Sequence, residues 1–425
     1  MSRRILIVGA GQSGLHLAHG LQGAGYDVTV MTAQKPEEIR TSLPSVTQFS
    51  LPLAREVEQR LGLDFYADLA PRIHGVHLEL YPPGYPGSMT VSGAFASEAI
   101  AVDRRLKQAD WLEYLQDRGA KAIFAGCTVS DLAYFPSMFD LVVVATGGGM
   151  LGELFPDTDE LRGVGGHRRV ITQVLCEGIE PSPSGADYAE VISSPLGRIL
   201  IAPILSPYGP AHSVCVMDAP GGSLDGSHLR PQRGHPDPEA VTSWIVSALG
   251  EHFPEVYPRV AGASPIDAHA ALVTTVRPHV RKPVAALAGG HVLGLADAVV
   301  HTDPLAGQGW AVSSLSASVY LTRILDHGDA PFTPEWMEET FTAAWQSGVS
   351  AADRLSSALH SMWEPGAPPH LAEVLAAAAT IPTVADRFIG GLADPADYEK
   401  WLYEPETARA YIAAVTRPHS DATPT

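Results

Sequence analysis

The chain opens with an unbroken apolar run, Ile5 to Val8, then glycines, then Leu15, Ala18 and Leu21 at helical spacing. An apolar run without polar alternation predicts a parallel strand covered on both faces, and spacing by three and four predicts an amphipathic helix. Gly25 ends that helix and Val28 to Met31 resume a strand, giving a βαβ unit of about thirty residues. From Lys35 to Pro86 the pattern is mixed, and "YPPGYPG" reads as a turn-rich break. "DRRLKQADWLEYLQDRGA" predicts a helix with Leu106, Trp111, Leu112 and Leu115 as its apolar positions and Gly119 as its stop. "FDLVVVATGGG" predicts a second buried strand that returns to the sheet begun at Ile5.

Beyond Arg169 the pattern changes to short runs, "RRVITQVL", "YAEVISS", "GRILIAPIL" and "HSVCVMD", separated by Gly, Pro and Ser, as in a largely antiparallel sheet. "GGHVLGLAD" predicts a late strand, and after Ala330 the pattern is helical. The expected architecture is α/β. Residues 1–168 and 284–330 form the two parts of a Rossmann-like domain, 169–283 an inserted, mainly antiparallel β-sheet domain for substrate, and 331–425 a helical C-terminal region. "TRPHSDATPT" reads as a frayed tail, and no internal repeat is evident.

A length of 425 residues allows two or three domain-sized units, and 45% hydrophobic residues suffice for a large core. A net charge of −19 opposes binding to a phosphate backbone, so nucleic acid is not an expected partner. Cys127, Cys176 and Cys215 lie far apart with no CxxC spacing, which argues against a disulfide framework or a zinc site. The apolar run behind Arg3 and Arg4 dissolves into glycine too early for a secretory signal, and no stretch approaches a membrane span. A cytoplasmic protein without membrane contact is expected.

Two glycine-rich loops carry the chemistry. Gly9, Gly11 and Gly14 form GxGxxG between a strand and a helix: the first permits the tight turn, the second lets a pyrophosphate approach backbone, and the third packs helix on strand. The helix N-terminus, with Gln12 and Ser13, supplies amides and partial positive charge. The carboxylate expected for the ribose is replaced by Thr32, whose hydroxyl either bonds the ribose or simply ends the strand. In "VLGLADAVVHTDPLAGQGWAVSS", Gly294 to Asp297 follows a strand and Asp303-Pro-x-x-Gly-Gln-Gly309 opens a helix. Asp297 can accept a hydrogen bond from a sugar hydroxyl. Pro304, Gly307, Gln308 and Gly309 let backbone approach a flat ring, whose electron-rich edge the helix end at Trp310 would face. Only one dinucleotide fingerprint is read, with no second GxGxxG loop for NAD(P)H.

The order of these segments resembles that of FAD-binding flavoprotein hydroxylases. With "VTVMTAQKPEE", "REVEQRLGLDF", "AVDRRLKQ", "FDLVVVATG" and "PPHLAEVL", nearly the whole chain resembles the styrene monooxygenase oxygenase component and its indole monooxygenase relatives. That family implies a Rossmann-like FAD domain with an inserted β-sheet substrate domain, and places Thr at position 32. It also implies reduced FAD delivered by a separate, transient NADH-dependent flavin reductase. A flavin C4a-hydroperoxide formed with O₂ then transfers one oxygen atom to an electron-rich, small apolar or aromatic substrate, by alkene epoxidation or indole oxidation. Arg105 matches the family's arginine and is expected to reach FAD, with Asp103 orienting it. No catalytic side chain is assigned, because the cofactor carries the reaction.

"RILIAPILSPYG" and "LVTTVRPHV" are the expected walls of the substrate pocket, with Arg277 and His279 leaving room for a polar or anionic group. Arg40, Gln48 and His301 are weaker candidates beside the flavin. Two other functions stay open: a one-component NAD(P)H-dependent hydroxylase and a redox-neutral FAD-containing isomerase or cyclase. A flavin halogenase is not expected, since Trp-x-Trp-x-Ile-Pro is absent. Monomer and homodimer are equally consistent with the chain.

Overall fold

The computed structural model describes residues 3–147, 149–158 and 167–417. The tail expected at "TRPHSDATPT" falls, from residue 418 on, outside the described residues. In chain order the strands are β1 (Arg4–Val8), β2 (Asp27–Thr32), β3 (Arg72–Leu80), β4 (Met89–Ile100), β5 (Lys121–Phe124), β6 (Leu141–Val144), β7 (Arg169–Glu177) and β8 (Tyr188–Ser194). They continue as β9 (Gly197–Ser206), β10 (Gly209–Asp218), β11 (Ser264–Pro265), β12 (Ala271–Val276), β13 (His279–Val280), β14 (Val284–Leu287), β15 (Gly290–Gly294) and β16 (Val300–His301).

The first sheet has the order β14-β15-β6-β1-β2-β5 and is parallel except for β14. Its inner strands are apolar throughout because both faces are covered. Ile5 and Ile7 pack with Leu15 and Leu17 of the Gln12–Gly23 helix, while Leu6 and Val8 face Phe155, Val312 and Phe341. β1 lies between β2 and β6, so strand order reverses at β1, and a crevice opens outside its carboxyl end. After building the second sheet the chain re-enters this one through the antiparallel β14–β15 pair, with β15 next to β6.

The second sheet has the order β11-β7-β10-β9-β8-β3-β4, with β12 also paired to β7. It is antiparallel apart from the β3–β8 pair, in line with the expected mainly antiparallel sheet. It differs from the sequence reading in one respect: β3 and β4 come from the segment assigned to the first part of the FAD domain. "YPPGYPG" is their hairpin connection, with Leu80 opposite Met89. The strand pattern was masked because His77 and Glu79 are buried along with the apolar residues of β3.

One face of this sheet is covered by C-terminal helices, Ser350–His360, Pro369–Ala378, Pro382–Gly390 and Pro395–Trp401. The last three begin on proline, whose missing N–H costs nothing in a first turn. Val384, Ala385, Phe388 and Ile389 join Val76, Leu78, Val91 and Phe95 in one core. The approach is close at Gly93 on β4, where a Cβ would stand 2.5 Å from the Ala385 carbonyl oxygen. Gly93→Ala is therefore expected to lower stability by about 1–3 kcal/mol through overpacking. Urea unfolding measures it, and Gly126→Ala, where a Cβ meets nothing within 4 Å, is the control with little change.

Candidate functional site

The crevice at β1 is shaped by glycines with three different tasks. Gly9 has φ +118°, and a Cβ on it would stand 2.5 Å from the Ala145 carbonyl oxygen. A Cβ on Gly14 would stand 2.1 Å from the Gly9 carbonyl oxygen, so this glycine sets how closely helix and turn pack. Beside Gly11 a Cβ would meet nothing within 4 Å, and that open space is the crevice itself. Gln12 and Ser13 line it too, and Gln12 Nε2 donates to Ser314 Oγ at 2.9 Å, linking the helix that follows the first loop to the helix that follows the second.

The far end of the crevice is built by residues 297–313. Asp303 accepts the Leu305 amide at 3.1 Å and starts a short turn that ends at Gly307, φ +64°. Gly309 then opens the Gly309–Asp326 helix. Asp297, Pro304, Gly307, Gly309 and Trp310 all line the crevice with Gly11, Gln12 and Ser13. The two loops thus open on one space. Neither the Gln12–Gly23 nor the Gly309–Asp326 helix carries an acidic residue in its first turn, so both positive ends face the crevice unneutralised.

Gln48 belongs here as well. Its Oε1 accepts the Trp310 amide at 2.6 Å, and it stands where a Cβ on Gly309 would lie. Gln173 of β7 holds this segment, accepting the Thr47 amide at 2.7 Å and donating to the Ser45 carbonyl at 2.9 Å. His301 lines the crevice 3.9 Å from the Asp297 carboxylate.

Arg105, Thr32 and Arg40, all expected at the site, are placed elsewhere. Arg105 does not face the crevice: its guanidinium is buried and bonded to Asp103 at 2.8 and 3.0 Å, with longer contacts to Asp267 and the Ser42 carbonyl. Asp103 caps the helix that begins at Arg104, and successive residues in a first turn diverge by about 100°. Arg104 is the residue that lines the crevice, across from Asp297. Surrounding protein lowers its pKa by desolvation, opposed by the Asp103 and Asp297 carboxylates, while the side chain stays open to the crevice. Thr32 ends β2 beyond this lining, where its carbonyl accepts the Ala125 amide. Arg40 points away, bound to Asp110 and Glu113.

Sequence reasoning also missed Gly147, which lies beside Asp297 in the crevice. The GxGxxG spacing recurs at Gly147, Gly149 and Gly152, contrary to the single fingerprint read from the sequence. Only a short 3₁₀ turn, Gly152–Leu154, starts there, so the second occurrence lacks the helix end that makes such a loop an anion site.

Trp310 has a second environment. Its ring lies 4.7 Å from the Lys107 ammonium, which is also 5.0 Å from the Trp111 ring. Lys107 donates to Glu58 and Ser50 at 2.6 Å each in a fully enclosed cluster. Burial pushes the Glu58 carboxyl up and the Lys107 ammonium down, each offset in part by the other. Neighbouring His16 falls to about 3 through burial and Lys107, and stays neutral. The cluster anchors the first turn of the Gly309–Asp326 helix from behind.

On the other side of loop 304–307 lies an apolar cavity of ≈ 120 Å³. Leu200, Met217, Pro304 and Gly307 line both spaces, so the loop is their common wall. β9 supplies a wall of this cavity through Arg198 and Leu200. The expected second wall does not: of β12 and its extension only Val276 reaches a site, the crevice, while Arg277 is exposed beside Asp157 and His279 bonds the Arg277 and Asp297 carbonyls. Burial lowers His279 to about 4. The remaining walls come from β3, β4 and the C-terminal helices, including Leu78, Phe95, Leu355 and Phe388. Gln308 donates to the Ala306 and Leu392 carbonyls, which fixes its amide and leaves Oε1 buried without a partner.

Residues 147–259, which include Arg198, Leu200 and Met217, match the family described as "Styrene monooxygenase A putative substrate binding domain". A styrene monooxygenase StyA from a Pseudomonas species is 31% identical over 333 residues, covering 77% of this chain and 78% of that protein. The chain belongs to the styrene monooxygenase family. StyA from Pseudomonas fluorescens is 30% identical over the same shares. The flavin-dependent brominase Bmp2 has the same fold, with a TM-score of 0.62 at 16% identity over 97% of this chain and all of that one. The protein is a flavin-dependent monooxygenase with FAD as cofactor. The open space at Gly11, the unneutralised helix ends and the glycine wall at 307–309 fit such a group. Among the described residues no helix is long and apolar enough to cross a membrane, and no His, Cys, Asp and Glu cluster suits a metal ion.

Arg104→Ala is expected to weaken FAD binding about tenfold, by loss of a charge-assisted contact, with stability unchanged. Arg105→Ala is expected to do the reverse, losing about 3–5 kcal/mol of stability by stranding Asp103 in the interior. Flavin fluorescence titration and chemical denaturation separate the two.

Proposed function

We propose that the chain is the oxygenase component of a two-component system, taking reduced FAD from a separate NADH-dependent reductase and oxygenating a small aromatic substrate held in the apolar cavity. The observation that carries this reading is the shared wall: the glycine loop facing the polar crevice also faces the cavity. When bound, reduced FAD would supply the two electrons that activate O₂, one of whose oxygen atoms is transferred to the substrate while the other leaves as water. Gly11, Gln12, Ser13 and Arg104 would hold its phosphates, Asp297 its sugar chain, and Pro304 to Trp310 its ring. The cavity, ≈ 120 Å³ and walled by Leu78, Leu200, Leu355 and Phe388, compares with the ~150 Å³ apolar cavity that takes up benzene. It suits an alkene or indole of about one ring system. Its side chains orient that substrate and keep water from the reacting atoms. Among the described residues GxGxxG opens an α-helix once, at Gln12, which supports an external source of reducing equivalents.

The protein mixed with photoreduced FAD, styrene or indole, and ¹⁸O₂ is expected to give product labelled at the new oxygen. NADH alone, without a reductase, is expected to remain unconsumed. NADH consumption by the purified protein would favour a one-component hydroxylase. Product without O₂ would establish redox-neutral chemistry, and full recovery of reducing equivalents as hydrogen peroxide would reject oxygen transfer.

A further inference from the structure

The apolar cavity contains one charged residue. Arg198, on β9, lines it while only 8% exposed, and forms no ion pair among the described residues. One guanidinium nitrogen, Nη1, donates to the Leu305 carbonyl in the shared loop. A guanidinium carries five N–H donors, and the others bond no protein atom among the described residues. The carboxylate that favours its charge is Asp303, already engaged by Arg169 at 3.0 and 3.3 Å. Two guanidinium groups therefore share one carboxylate. Burial lowers Arg198 to about 10, which still leaves it cationic at neutral pH.

A buried charge with no carboxylate of its own is costly. Holding one carbonyl does not account for it, since a neutral amide can donate the same bond. Arg198 lines a space walled mainly by apolar side chains, Phe49, Leu78, Phe95, Leu200 and Leu355 among them.

We propose that Arg198 is a specificity-determining residue that binds a carboxylate on the substrate, so that the cavity selects an aromatic acid over the corresponding hydrocarbon. The inference rests on the cavity being the substrate site of the monooxygenase proposed above. It adds a polar pole to an apolar pocket, with Arg198 fixing one end of the molecule.

The probes are 4-vinylbenzoate and 4-methylstyrene, which share the vinyl group and differ by carboxylate against methyl. Calorimetry with the FAD-loaded protein, without reductant, is expected to show 4-vinylbenzoate binding at least about tenfold more tightly. Arg198→Met should abolish that preference, and Arg198→Lys should retain part of it. Equal or tighter binding of 4-methylstyrene to the native protein overturns the proposal, as does a preference that survives in Arg198→Met. If Arg198→Met does not fold, the native comparison still decides. If the acid binds with the expected preference but is not oxygenated when reduced FAD and O₂ are supplied, the carboxylate site stands and the monooxygenase reading of the cavity fails.

Discussion

The buried pair between Arg169 and Asp303 fixes the loop on which both spaces depend. Asp303 uses the same carboxylate to start the turn at Leu305, and Arg198 of β9, separated from β7 by β10, holds the Leu305 carbonyl. Gln48 holds the next segment at Trp310. Residues 303–310 are thereby fastened to the second sheet although the strand before them, β16, pairs with β13 outside it. Breaking a buried pair strands a charge at a cost of several kcal/mol. The loop thus keeps a single position between a polar crevice and an apolar cavity.

The division of polarity follows from what each space must hold. A chain of net charge −19 repels phosphates at long range, so their attraction has to be local: two helix ends free of carboxylates, and Arg104. The cavity is mostly apolar by contrast, and its walls come from segments far apart in sequence, among them β3, β4, β9 and the C-terminal helices. Gly93 permits that assembly, because the helical region meets β4 at a backbone-to-backbone distance that no side chain tolerates.

The cofactor side was the more legible part in the sequence because its chemistry is local. A strand, a glycine turn and a helix within a dozen residues state the crevice at Gly9 to Gly14, and the same holds for Asp297 to Trp310. Arg105 was misread for Arg104 because both sit in the first turn, and only the capping of that turn by Asp103 decides which side chain turns inward. The cavity was less legible. Amphipathic C-terminal helices show that an apolar face exists, not that it closes over β3 and β4, and burial of His77 and Glu79 hides the strand pattern that would have revealed those partners.

The central claim is that two glycine loops far apart in the sequence form a single FAD site. Calorimetric titration of the native chain, Gly11→Val and Gly307→Val with FAD tests it directly. One FAD per native chain is expected, with binding strongly weakened in both variants and the fold retained. Two FAD per chain, or native affinity in Gly307→Val, would contradict it.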